Sequence, residues 1–193
     1  MNRLALLTAL VLCTSAAHAA PDTYIIDSTH TFPQFTYTHL GYSIQTHGFD
    51  KTSGKVTLDR AAQTGSADVT IDATSIHTGS ALFNEHIQGA DYFDTAKYPT
   101  ITFKSSKMMF EGNQPVSLVG DLTIKGVTKP VTLTITHFLC MPHPMLKVVA
   151  CGANATASIK RSDFNMGKGV PYVSDEIVLS LAIEALKQPS TAQ

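Results

Sequence analysis

Ser66-Ala67-Asp68-Val69-Thr70-Ile71-Asp72 alternates apolar and polar side chains at every step. Successive strand residues point to opposite faces, so Ala67, Val69 and Ile71 share one side while Ser66, Asp68, Thr70 and Asp72 share the other. The segment reads as a half-buried strand. Outward from it, the same period of two recurs at Ile101 and Phe103, along Val116, Leu118, Gly120, Leu122 and Ile124, along Val131, Leu133 and Ile135, and along Ile177, Leu179, Leu181 and Ile183. Gln63-Thr64-Gly65, Glu111-Gly112-Asn113 and Lys125-Gly126 punctuate these runs with residues suited to tight turns, which join antiparallel neighbours. No strand–helix–strand rhythm is present, and the abundance of Thr and Val favours sheet. The chain reads as all-β. About eight strands with one apolar face must bury that face, by closing into a barrel or by stacking as a sandwich.

One segment departs from the strand pattern. Ser80 can cap a short helix, Ala81 to Gln88 tolerate one, and Gly89 can end it. Leu82 and His86 then lie one turn apart, as do Phe83 and Ile87; if the sheet closes into a barrel, Leu82 is expected on its rim and His86 facing the opening. Residues 161–166 allow a further helical turn before the last strand.

The ends of the chain are of a different character. Arg3, the short apolar run Leu4 to Cys13 and the small-residue site Ala17-His18-Ala19 together read as an export signal covering 1–19. That run falls short of the ~20 apolar residues a membrane-spanning helix needs, so no transmembrane span is expected. Residues 20–187 form one domain, and 188–193 make a flexible polar tail. Loss of Arg3 with the signal moves the formal charge from −1 to −2, and without a basic stripe no nucleic acid partner is expected. Cys13 leaves with the signal, so Cys140 and Cys151 remain as an even pair in an oxidising compartment, where a disulfide is expected. The proline-containing stretch between them reads as a long hairpin loop.

Candidate chemistry is sparse. His30, His39, His47, His77 and His86 show neither His-x-x-x-His nor His-Glu-x-x-His spacing, so no metal site is expected, and no cofactor motif appears. No nucleophile elbow, carboxylate pair or phosphate loop is present either, which argues against an enzyme. The alternative from another class is a small enzyme with His39, His86 and Glu85 at a barrel mouth. Inward strand positions are mostly aliphatic and the chain has no Trp, so the interior is either a filled core or a narrow apolar tube.

Four ordered blocks carry a resemblance. They are Thr38-His39-Leu40-Gly41-Tyr42-Ser43, the stretch from Asn84-Glu85-His86-Ile87-Gln88-Gly89 through Asp91-Tyr92-Phe93 to Ile101-Thr102-Phe103, Gly120 to Val131, and Lys160-Arg161-Ser162-Asp163-Phe164-Asn165-Met166. Together, from about Tyr24 to Ala185, the chain resembles the YceI-like family of secreted, lipocalin-like polyisoprenoid-binding proteins. The resemblance implies an antiparallel eight-stranded lipocalin-like barrel with the short helix near its mouth. It implies that a long isoprenoid or similar lipid, of polyprenyl or quinone type, is carried or sequestered in the tube, and it admits a homodimer. On that reading Phe35, Phe49, Val69, Ile71, Ile101, Phe103, Leu122, Leu133, Ile135, Leu179 and Leu181 line the tube, each with structural core as its other role. Phe164 and Met166 close one end or simply fill it. His39, Asn84, His86 and Arg161 are the candidates for a polar head group. The alternatives are that His39 and His86 brace the helix and that Arg161 pairs with Asp163 or another acid. Family members commonly carry Arg-Asp ahead of an x-His-Leu element, where this chain has Phe83-Asn84 before Glu85-His86-Ile87, and the missing basic contact favours a neutral head such as a quinone or an amide. Asn165, where the family often has Gly, tolerates the same left-handed backbone.

Overall fold

The computed structural model describes residues 20–189; the expected export signal and residues 190–193 lie outside the described residues. Eleven strands form one antiparallel sheet: β1 (Asp22–Ile26), β2 (Gln34–His39), β3 (Ser43–Phe49), β4 (Thr52–Asp59), β5 (Thr64–Asp72), β6 (Ile76–His77), β7 (Thr100–Glu111), β8 (Gln114–Ile124), β9 (Val127–Pro142), β10 (Val149–Lys160) and β11 (Glu176–Lys187). Eight of them close a ring in the order β1, β4, β5, β7, β8, β9, β10, β11 and back to β1. The protein is an eight-stranded antiparallel barrel.

Closure is shared between two short strands. β11 pairs with β1 through Ala185–Lys187 and with β2 through Val178–Ser180, so one edge of a single strand holds two partners in succession. β2 continues into the β2–β3 hairpin, whose turn carries Leu40 and Gly41 at φ 53° and 74°. At the same end stand the helix α1 (Ala81–Gln88), the 3-10 turn Arg161–Phe164 and the loop to β11. Ser80 caps α1 by accepting from the Phe83 amide at 3.4 Å. This end is the mouth. Among the described residues no helix is long and apolar enough to cross a membrane.

The turns follow the sequence chemistry. Lys125 and Gly126 take φ 51° and 74° between β8 and β9, as a tight antiparallel turn requires. Asn165 adopts φ 57° after the 3-10 turn, the conformation expected of it. A side chain at Gly120 would lie 2.7 Å from Phe103 Cζ and 2.5 Å from the Lys104 carbonyl oxygen, so glycine makes room for the Phe103 ring inside the barrel.

Alternation persists within each strand but changes phase at bulges. In β9 the inward set Val131, Leu133 and Ile135 gives way to Phe138 and Cys140, because the pairing with β10 shifts beside Thr136. Val116, expected on the same face as Leu118, yields its place to Pro115, since the β7–β8 register also shifts there. A bulge inserts one unpaired residue and so moves every later side chain to the other face.

Cys140 and Cys151 are opposite each other in the β9–β10 register and are bonded. The expected long loop is corrected: both strands run past the cysteines, to Pro142 and from Val149, leaving only 143–148 outside the sheet. Cys151 is buried with Tyr24, Leu58 and Ala185 in a small cluster at the barrel end away from α1. The bond therefore staples the far end of the barrel. Replacing both cysteines by Ser should lower the unfolding free energy by roughly 3 kcal/mol, the chain-entropy value for so short a loop, as read from urea titrations of the oxidised wild type and the variant.

Candidate functional site

Inward residues of a filled barrel would all be sealed from solvent; here several are not. Val69, Ile71, Ile135, Leu179, Leu181 and Ile183 point inward yet are only half-buried. They face a cavity of about 330 Å³ inside the barrel. That volume lies at the lower end of small-molecule sites, which hold ~300–1,000 Å³. The cavity runs from Tyr24, Leu58, Cys151 and Ala185 at the far end to His39, His86, Tyr92 and Arg161 at the mouth. Its walls are aliphatic and aromatic, and polar side chains gather at one end.

Most candidate tube residues are on this wall. Phe35, Phe49, Val69, Ile71, Ile101, Phe103, Leu122, Leu133, Ile135, Met166, Leu179 and Leu181 all line the cavity. Phe164 does not: at 1 % exposure it lies among the fully buried side chains of the core. Tyr92, Phe93, Ile87 and Met108 are lining residues that alternation could not reveal, since three lie outside strands and Met108 follows the β7 bulge. The aromatic Asp91-Tyr92-Phe93 turn signals the first two in the sequence and the Phe83–Ile87 spacing the third, while Met108 carries no such signal.

The mouth is built from rings. Phe35 meets Phe49, His47 and Phe93 at centroid distances of 6.0, 5.9 and 6.0 Å, and Phe93 meets Phe49 at 5.5 Å. α1 docks on this cluster through Ile87, which is buried, and through Phe83, 5.3 Å from the His47 ring. Leu82, expected on the rim, is instead directed to solvent. A helix eight residues long can bury only a narrow stripe, and the larger Phe83–Ile87 pair takes it. His86 stacks on Phe83 at 5.8 Å, meets Tyr92 at 5.0 Å and lines the opening.

The polar candidates separate into two groups. His39 and His86 line the mouth, whereas Asn84 does not. Asn84 Oδ1 accepts from the Thr78 amide at 2.9 Å and from Thr78 Oγ1 at 2.7 Å, tying α1 to the loop before it. Arg161 lines the mouth but is buried, and it pairs with no acid among the described residues. Its guanidinium donates to the carbonyls of Ser174 at 2.8 Å, Lys168 at 2.8 Å and Val173 at 2.9 Å, and to that of Met166. Four carbonyl dipoles thus satisfy its charge and fold residues 161–174 around it. Glu85 is exposed and away from the cavity, and no hydrogen bond among the described residues joins it to His39 or His86.

Two further groups stand apart from the opening. His47 is buried, its Nε2 lies 3.1 Å from the Tyr37 hydroxyl, and its Nδ1 has no partner among the described residues. Burial pushes the His47 pKa down and the Tyr37 pKa up, so both are neutral at pH 7. Asp27, His30 and Glu184 bring three ligand-type atoms within 4.8 Å of one another outside the barrel. There the Asp27 carboxylate already accepts from Thr29 and His30, which hold its pKa down at about 2.

A family model described as the YceI-like domain matches residues 24–185. The protein YceI of Escherichia coli O157:H7 is 36 % identical over 185 residues, covering 94 % of this chain and 96 % of that one. The crystal structure of Burkholderia cenocepacia BcnA superposes with a TM-score of 0.68 at 28 % identity, over 82 % of this chain and 98 % of that one. A polyisoprenoid binding domain from Saccharophagus degradans, implicated in plant cell wall breakdown, shares the fold with a TM-score of 0.61 at 19 % identity, over 86 % and 98 % of the two chains.

The buried histidine gives a pH signature. Its folded pKa lies below the ordinary 6.5, so the unfolded chain takes up a proton first as pH falls. The stability His47 contributes is complete above 6.5 and is lost as pH drops from there towards its folded pKa. His47→Gln, which keeps a polar partner for Tyr37, should therefore show a shallower loss of melting temperature than wild type between about pH 7 and 5.

Proposed function

The chain belongs to the YceI-like domain family, and on that premise we propose that it binds a long, slender apolar lipid of isoprenoid type in the barrel lumen, carrying or sequestering it in the periplasm. The observation that carries this reading is a lumen left open between aliphatic and aromatic walls, with His39, His86, Tyr92 and Arg161 gathered at its mouth. A chain of methylenes and methyls threaded there would gain roughly 0.8 kcal/mol for each methylene removed from water. The polyisoprenoid binding of the Saccharophagus degradans domain, which shares this fold, supports the same ligand class.

The head group would sit at the mouth, against His39, His86 and Tyr92. The neighbouring cations favour an uncharged one. Arg161 is committed to backbone carbonyls, Lys168 to Asp91, and Lys125 donates to the carbonyls of Ala90 and Asn165 at 2.6 and 3.0 Å. A pyrophosphate would have to draw these groups from partners they already hold. A quinone or amide oxygen needs only a donor, which His86 can supply.

Native extraction followed by lipid mass spectrometry should recover an isoprenoid or similar long-chain lipid. Delipidated protein should be stabilised by about 2.7 kcal/mol in a hundredfold excess of prenyl quinone over its Kd, and no response to prenyl quinones or polyprenols would sink the reading. Ala155→Phe places a ring in the lumen from a buried lining position. It should abolish uptake while the melting temperature holds or rises, because a void is being filled. His86→Ala should weaken a prenyl quinone by about 1 kcal/mol and leave a tail-only hydrocarbon unaffected; equal losses for both would remove His86 from the head-group site.

A further inference from the structure

The β2–β3 hairpin and the loop before β11 meet at the mouth and leave their apolar side chains in water. Tyr42 is 87 % exposed, Ile44 73 % and Tyr172 73 %, with Leu40 and Val170 also exposed beside them. These residues form one surface because the two segments are bonded together. The Leu40 amide donates to the Tyr172 carbonyl at 2.8 Å, the Ser174 amide donates to the Thr38 carbonyl at 2.9 Å, and His39 bridges to Val173. His39 and Val173 themselves line the cavity, so the exposed patch continues directly into the lumen.

Its charge distribution is unusual for a surface. From Ser28 to Phe49 there is no Asp, Glu, Lys or Arg, and none from Gly169 to Ser174. A projecting hairpin meant only for water would ordinarily carry such groups, and contiguous exposed apolar side chains mark a docking face. Two tyrosines at its edge suit a boundary between water and hydrocarbon, since each ring is apolar with a polar tip. A surface without fixed charge enters the interfacial layer of a bilayer at no cost in ion desolvation.

We propose that this rim docks the barrel mouth on a lipid bilayer, from which the apolar ligand passes into the lumen without crossing water. The inference rests on the lipid-binding reading above and adds the route by which the ligand arrives. Leu40, Tyr42 and Ile44 from the hairpin and Val170 and Tyr172 from the loop enter the interface, and His39 and Val173 stand where the ligand passes between membrane and cavity.

The test uses the mature protein and phosphatidylcholine vesicles doped with a prenyl quinone. Wild type should co-float with the vesicles and extract the quinone. The triple substitution Leu40→Ser, Tyr42→Ser, Tyr172→Ser should lower co-flotation and extraction rate at least tenfold, while uptake from a cyclodextrin complex and the melting temperature stay unchanged. Because the chain has no Trp, Tyr42→Trp supplies a single reporter whose emission should shift to the blue on vesicle addition. Met145→Ser, at the exposed tip of the far-end hairpin, should alter nothing. Uptake from cyclodextrin without vesicle binding would overturn the docking and leave the lipid-binding reading standing. Equal losses by both routes, or a rim that is needed only for self-association in analytical ultracentrifugation, would overturn it as well. Failure of uptake by both routes in wild type would remove the lipid-binding reading itself, and the docking inference with it.

Discussion

The whole molecule depends on the edge of β11. A curled sheet of eight hydrogen-bonded strands still has two open edges, and each would present unpaired amides and carbonyls to solvent. β11 satisfies its free edge twice, with β1 near Ala185 and with β2 near Leu179, and the second pairing carries the sheet outward into the β2–β3 hairpin. Closure therefore sets two things together: a lumen walled on all sides, and a hairpin that projects beyond the ring at the mouth. A simple eight-strand ring would have the first without the second.

Between the ends, the lumen stays open because its walls are matched in size. Gly120 accommodates the Phe103 ring, while Ala67 and Ala155 leave space opposite bulkier aliphatic residues. The far end is packed by Tyr24, Leu58 and Cys151 and stapled by the disulfide. The mouth is held differently, by ring contacts and by the carbonyls gathered around Arg161. A buried guanidinium with four carbonyl partners fixes the loop beside the core contacts of Phe164 and Met166. The loop in turn offers Val173 to the lumen and Tyr172 to solvent. Rigidity at one end and a polar, partly exposed opening at the other give the cavity its direction.

The conversion of Arg161 from a candidate head-group ligand into a loop organiser has a general physical cause. A charge this deeply buried must have several acceptors at once, and backbone carbonyls in a tight turn supply them at fixed positions. Asn84 follows the same logic on a smaller scale, its amide oxygen taken by Thr78. Polar residues in a strongly patterned block are as often committed to holding the block together as to meeting a ligand. His86 and Tyr92 differ because their neighbours are rings, which leave their polar atoms unspent.

By itself the sequence determined the all-β class, the strand faces up to each bulge, the tight turn at Lys125-Gly126, the capped helix and the disulfide pair. All are local: period-two alternation, left-handed turn residues and a Ser cap act over a few residues, and a cysteine pair across one hairpin nearly so. Tertiary structure decided the rest. Alternation fits a sandwich as well as a barrel, and only the β1–β11 pairing, between chain ends, chose the barrel. It is also blind to voids, because Leu179 is equally apolar against a neighbour or against empty space. Bulges beside Thr136 and Val116 turned Phe138 and Pro115 inward against the reading of the flanking runs, since one unpaired residue reverses every later side chain. The rim of Leu40, Tyr42 and Tyr172 existed only after two segments some 130 residues apart were hydrogen-bonded side by side, a juxtaposition no local pattern encodes.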